Sequence, residues 1–186
     1  MTSLLSKFNA KEKLANGLMI TASHNPIVDN GVKISDTEGG MIAESLEKHI
    51  VEFVNGSDIE EDIKKLLDVL QEFFKRPPGE NGIVILGGDT RPSSENLLNL
   101  AKEGVILSGS VPIVLGQVAT PTLAHAVREY NMNFVRVNEA KYFADNTNIL
   151  VNQYIEYYLD NFFKFNDLLS SPNASECARI SSFTTR

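Results

Sequence analysis

The chain has 186 residues, 42% hydrophobic and 22% charged, a composition that fits one globular domain with a sizeable core or two small ones. Its formal net charge of -7 and pI near 5.0 exclude a nucleic-acid backbone as an expected partner, because phosphate tracking needs a clustered basic face. A lone Cys177 excludes an internal disulfide, no apolar run approaches the ~20 residues of a membrane span, and the opening MTSLLSKFNAKEKLANG lacks a signal-peptide core, so a cytoplasmic chain with no membrane partner is expected.

In chain order, residues 3 to 15 have helical spacing, and Gly17-Leu18-Met19-Ile20 predicts a strand that starts at Gly17 and ends at Thr21 or Ala22. Asn30-Gly31 signals a tight turn, after which Val32-Lys33-Ile34-Ser35 returns as a short strand. Helical spacing resumes over residues 42 to 54, where Ile42, Leu46, His49, Ile50 and Phe53 fall near one stripe. Ser57-Asp58-Ile59-Glu60 reads as a capping box with Ser57 as the cap, opening a helix over residues 59 to 74 that Arg76-Pro77-Pro78-Gly79 stops.

Residues 83 to 88, IVILGG, form a continuous apolar run of the kind found in strands covered on both faces. A helix is expected over 95 to 109, a second buried strand over 111 to 117, and a helix over 120 to 132. Residues 138 to 169 read as helical again, and 170 to 186 as an irregular tail. Alternating strands and helices predict parallel pairing. The expected fold is therefore α/β: a three-layer α/β/α domain over residues 1 to 169 on a mostly parallel mixed sheet, followed by the tail.

Against this scaffold the stretch TASHNPIVDNG, residues 21 to 31, stands out. A turn needs one Gly, Pro or Asn to set its dihedrals, so a hydroxyl, an imidazole and an amide in succession exceed what geometry requires. The stretch also follows the carboxyl end of a strand, where ligands of open parallel sheets gather, as do GGDTRPSS and the Thr120-Pro121 turn. From spacing alone, Ser23 either caps the Asn25-Pro26 turn or presents a reactive hydroxyl, His24 either packs against a helix or faces a ligand, and Lys33 is either a solvated lysine or a cation of the site. Asp29 and Asn30 read as turn formers, Asp89 with Thr90 as a helix N-cap before Pro92, and Ser93 and Ser94 as helix-start residues. His49 and His125 read as structural histidines, and no histidine-carboxylate spacing implies zinc.

Thr21-Ala22-Ser23-His24-Asn25-Pro26 followed by Asp29-Asn30-Gly31-Val32-Lys33 closely resembles the catalytic serine loop of the α-D-phosphohexomutases, and GGDTRPSS and Thr120-Pro121 follow in that family's order. The resemblance covers roughly residues 14 to 169 and points to the branch that interconverts N-acetylglucosamine 6-phosphate and 1-phosphate on the way to UDP-N-acetylglucosamine. It implies a phosphorylated amino sugar as substrate, Ser23 as the phosphoryl carrier, and Lys33 beside it as a proton acceptor or electrostatic partner. His24 would be a further catalytic group, Asn25 and Arg91 would hold phosphate, and a magnesium ion (Mg²⁺) would bind through the Ser23 phosphate.

Gly88 stands where the family usually has the first arginine of GRDTR. The sequence has no counterpart of the family's Y-G-T-A-G-F-R segment, its DGD metal loop, its sugar-recognition loop or its C-terminal phosphate-binding domain. The resemblance thus implies about the first of four domains, without the family's first strand and with an unpaired sheet edge open to association. Negligible turnover by the isolated chain is expected. A noncatalytic binding or regulatory fragment is the alternative.

Overall fold

A computed structural model of the chain describes residues 1–22 and 24–133. The chain divides into two units, Met1–Thr147 and Asn148–Arg186. The helix expected over 138 to 169, the tail from 170 and the boundary at 169 lie outside the described residues.

The sheet has four strands among the described residues: β1 (Ala15–Ile20), β2 (Val32–Ser35), β3 (Ile83–Gly88) and β4 (Val111–Gln117), in the order β2-β1-β3-β4. β1 runs antiparallel to β2 and parallel to β3, which is parallel to β4, so the sheet is mixed and mostly parallel. The helices are α1 (Thr2–Phe8), α2 (Glu44–Val54), α3 (Ile59–Phe74), α4 (Ser94–Leu107) and α5 (Thr120–Asn133).

Cross-strand partners share a face of a sheet, so the register sorts the layers. Leu18 lies opposite Ile34 and Leu86, and Leu86 opposite Val114. On this face Ile20, Val84 and Leu86 pack with Leu98 and Val105 of α4, while Ile34 joins Leu5 and Phe8 of α1, Leu46 and Ile50 of α2, and Leu66 and Leu70 of α3. The opposite face carries Gly17, Met19 and Gly87, and α5 lies against it. A Cβ on Gly17 would stand 2.7 Å from Leu123 Cδ2 and 2.8 Å from Val127 Cγ2, so glycine is what lets this helix sit close. Three layers result, as expected from the sequence.

The structure corrects the sequence reading at the amino terminus. The helix expected over 3 to 15 ends at Phe8, a 3-10 turn follows over Ala10–Glu12, and Lys13 reverses the chain at φ 56°. β1 then starts at Ala15, two residues before Gly17. The reason is remote: Asn131 of α5 accepts from the Ala15 N–H at 2.7 Å and donates to the Ala15 carbonyl at 2.9 Å, extending the strand's bonding backwards. The cap of α3 also shifts by one residue. Asp58, not Ser57, accepts from the Glu61 N–H, at 3.1 Å.

Candidate active site

β1, β3 and β4 are parallel, so the chain leaves all three along one edge of the sheet. A cleft of about 660 Å³ opens there, walled among others by Thr21, Asn25, Lys33, Asp89, Arg91 and Thr120. Lys33 reaches it because strand alternation places it opposite Met19, on the α5 face, and Met19 lines the same cleft.

The loop after β1 is two turns in succession. The Asn25 N–H donates to the Ala22 carbonyl at 2.8 Å, a bond that spans positions 23 and 24, and the Asp29 N–H donates to the Pro26 carbonyl at 3.0 Å. At the loop's base the Thr21 N–H donates to the Gly31 carbonyl at 2.9 Å. A Cβ on Gly31 would stand 2.8 Å from the Thr21 oxygen, so this closure requires glycine. On the far side the Ser93 hydroxyl donates to Asn30 Oδ1 at 2.6 Å.

Arg91 reaches this loop from the turn after β3. Its Nη1 donates to the Pro26 carbonyl at 2.6 Å, and its Nη2 donates to the carbonyls of Ala22 and of Asn25, the latter at 3.0 Å. Nε donates to Asp89 Oδ2 at 3.1 Å, and the side chain is only 10% exposed. Asp89 in turn accepts on Oδ1 from the Arg91 N–H at 3.1 Å and from the Ser94 hydroxyl at 2.6 Å. Partial burial alone would raise the Asp89 carboxyl. The hydrogen bonds from Ser94, the Arg91 N–H, Thr21 and the Arg91 guanidinium outweigh that and hold it down at about 2. The rim is thus built on a carboxylate that stays ionised.

Of the residues singled out by sequence, Asn25, Lys33 and Arg91 come together in the cleft, while His24 is exposed and outside its walls. Ser23 lies outside the described residues; its neighbour Ala22 gives its carbonyl to Arg91. The structure reassigns three groups read as helix-start chemistry. Asp89 organises the rim instead of capping α4. Ser93 sits at the N-cap without a side-chain cap bond, and both serine hydroxyls go to loop and rim partners. Thr21, buried and bonded to Asp89, was not singled out; the only hint was its place at the end of a strand. His49 pairs with Glu52 on α2, outside the cleft. Among the described residues no three His, Cys, Asp or Glu side chains converge as a metal site.

The chain matches the family described as phosphoglucomutase/phosphomannomutase, alpha/beta/alpha domain I, over residues 1–61 and 54–140. It is 40% identical over 134 residues to the phosphoacetylglucosamine mutase of Arabidopsis thaliana, which covers 68% of this chain and 23% of the relative. It is 38% identical over 125 residues to that of Homo sapiens, with 67% and 23% covered. Among solved structures, N-acetylphosphoglucosamine mutase of Aspergillus fumigatus superposes with a TM-score of 0.60 at 28% identity, over 73% of this chain and 25% of that one. The same enzyme has also been solved in complex with GlcNAc-6P and magnesium, and aligns at a TM-score of 0.56 and 26% identity over 74% of this chain and 25% of that one. The chain therefore spans about a quarter of the length of the relatives it matches. The chain therefore belongs to the phosphoglucomutase/phosphomannomutase family and carries its α/β/α domain I.

Proposed function

We propose that this chain is the serine-loop domain of a phosphoacetylglucosamine mutase, in which Ser23 carries the phosphoryl group between the 6- and 1-positions of an N-acetylglucosamine phosphate on the way to UDP-N-acetylglucosamine. The observation that carries this reading is the loop of residues 21 to 31, bolted by one guanidinium to the carboxyl edge of a parallel sheet and opening on a cleft that holds Lys33 and Asn25.

In the proposed step the Ser23 Oγ attacks a phosphorus of a sugar bisphosphate. The bond from that phosphorus to the sugar oxygen breaks, the hydroxyl proton passes to that oxygen, and a phosphoserine and a sugar monophosphate result. The reverse step gives the phosphoryl group to the other sugar hydroxyl. A phosphoserine brings about -1.5 to -2 charges, which need compensation. Among the described residues lining the cleft, Lys33 is the cation that no ion pair engages, since Arg91 is matched with Asp89. Lys33 therefore suits the role of electrostatic partner for the moving group.

Magnesium, present in the Aspergillus complex, fits the described residues poorly. Asp89 is the one carboxylate in the walls of this cleft, and its oxygens already accept from Ser94, Thr21 and Arg91. A metal would rest on the Ser23 phosphate and on donors from elsewhere. A noncatalytic binding or regulatory role is the second reading, favoured by that same poverty of ligands in the walls of the cleft.

Intact-mass measurement after incubation with glucose 1,6-bisphosphate separates the two readings. The mutase reading predicts a gain of one phosphoryl group that is absent in Ser23→Ala. A chain that gains no mass, or gains it equally in Ser23→Ala, has the noncatalytic role.

A further inference from the structure

A guanidinium has five N–H donors in a planar fork, and Arg91 uses three of its nitrogens on four acceptors: Asp89 Oδ2 and the carbonyls of Ala22, Asn25 and Pro26. Two of these carbonyls are the first residues of the loop's two turns, Ala22 opening the one closed by Asn25 and Pro26 opening the one closed by Asp29. The Asn25 carbonyl lies at the joint between them. One side chain thus locks two turns to each other, and Asp89 locks that side chain to the end of β3. The fork has at most one donor left for anything else, and its charge is matched by the carboxylate beside it.

We infer that Arg91 is a positioning residue, not a phosphate ligand: its fork fixes the backbone of the loop at Ala22, Asn25 and Pro26, on both sides of position 23. Its meaning for phosphoryl transfer rests on the reading of Ser23 as the acceptor; the clamp itself does not. Three features support it. The partners are backbone carbonyls of residues 65 to 69 positions away, so the clamp holds loop shape whatever side chains the loop bears. The side chain is 10% exposed, which leaves little of it for a ligand. Geometry also matters more than charge here, because a lysine ammonium has the same charge but cannot reach three carbonyls and a carboxylate from one planar fork.

The test compares the full 186-residue chain with Arg91→Lys and Arg91→Ala. Hydrogen exchange is followed over residues 24 to 31, with β1, β3 and α4 as internal references, alongside the rate of Ser23 phosphorylation and the Kd for glucose 1,6-bisphosphate. Both variants should exchange the loop amides at least about tenfold faster while the reference segments are unchanged, as expected when charge-assisted bonds to a local segment are lost. Both should slow phosphorylation at saturating bisphosphate by at least about tenfold with Kd kept within about twofold, the pattern of lost positioning without lost binding.

Wild-type loop protection in Arg91→Lys overturns the inference, since charge alone then suffices. So does a weakened Kd with an unchanged saturated rate, which marks a phosphate contact. Loss of protection across β1, β3 and α4 in both variants also overturns it, because the side chain then supports the whole fold and not the loop. If wild type itself takes up no phosphoryl group, the functional reading falls, and the exchange pattern alone still decides whether Arg91 holds the loop.

Discussion

The two ends of the sheet each carry a partly buried arginine, and the two are used differently. Arg76, beyond the end of α3, pairs through Nη1 with the Glu12 carboxylate, donates from Nη2 to Asn9 Oδ1 at 3.1 Å, and lies over the Phe74 ring at 5.7 Å. Its partners are side chains, and it is 33% exposed. Arg91 at the opposite end is 10% exposed and gives three of its four bonds to backbone carbonyls of a single loop. A side chain bonded to side chains ties two surfaces together and adds modestly to stability. A side chain bonded to carbonyls dictates the path of a loop, and a loop whose path is dictated can hold a reacting group in place.

Asp89 tests that contrast with the largest expected effect. Asp89→Ala removes the anion beside Arg91 and the acceptor for Ser94 and Thr21, leaving a mostly buried guanidinium short of a partner. Thermal or denaturant unfolding should show a loss of about 2–4 kcal/mol. Faster exchange of residues 24 to 31 should accompany it. A loss below about 0.5 kcal/mol, the range of ordinary surface substitutions, would break the comparison.

Acid supplies a milder perturbation of the same group. The Asp89 carboxyl is held at about 2 in the fold against an ordinary value of 3.8, so its contribution is complete above about pH 4 and is lost as pH falls from there through 2. With the side chain 19% exposed, the loss is about 1–2 kcal/mol once solvent screening is allowed for. Denaturant midpoints of wild type and Asp89→Ala should converge across that interval. Parallel curves would show that another group carries the acid sensitivity.

At the other end of the sheet, Arg76→Ala should cost no more than about 1 kcal/mol, as expected for a solvent-screened ion pair with one stacked ring. Loop exchange and Ser23 phosphorylation should not change. A larger loss, or any effect on the loop, would erase the distinction between the two arginines.

Much of the scaffold was legible because its signals are local. The apolar run 83 to 88 and the stretch 111 to 117 are β3 and β4 with unshifted bounds. The tight turn expected at Asn30-Gly31 is not there: the loop turns earlier, at Ala22–Asn25 and Pro26–Asp29, neither Asn30 nor Gly31 has a positive φ, and Gly31 already pairs with Thr21 as β2 begins. The amino terminus was misread because what ends α1 early and starts β1 early is not local. Asn9 donates to Asn16 at 2.9 Å, and the carboxamide of Asn131, 116 positions away, brackets Ala15. The site divided in the same manner. A serine, an asparagine and a lysine around a tight turn mark a loop with chemistry, but the partners of Arg91 lie on a segment 65 or more positions earlier, and an arginine in GGDTR reads equally well as a phosphate ligand. Thr21 and Asp89 were overlooked or misassigned for a related reason: a threonine at a strand end and an aspartate before a helix have ordinary explanations that only the closed rim displaces.

On the proposed function, the residue at position 23 receives a phosphoryl group. Trypsin should release residues 14 to 33 as one peptide, bounded by Lys13 and Lys33, in which Thr21 and Ser23 are the only hydroxyl side chains. After incubation with glucose 1,6-bisphosphate, fragmentation of this peptide should place one phosphoryl group on Ser23 and none on Thr21. An unmodified peptide, or a phosphoryl group on Thr21, contradicts the account.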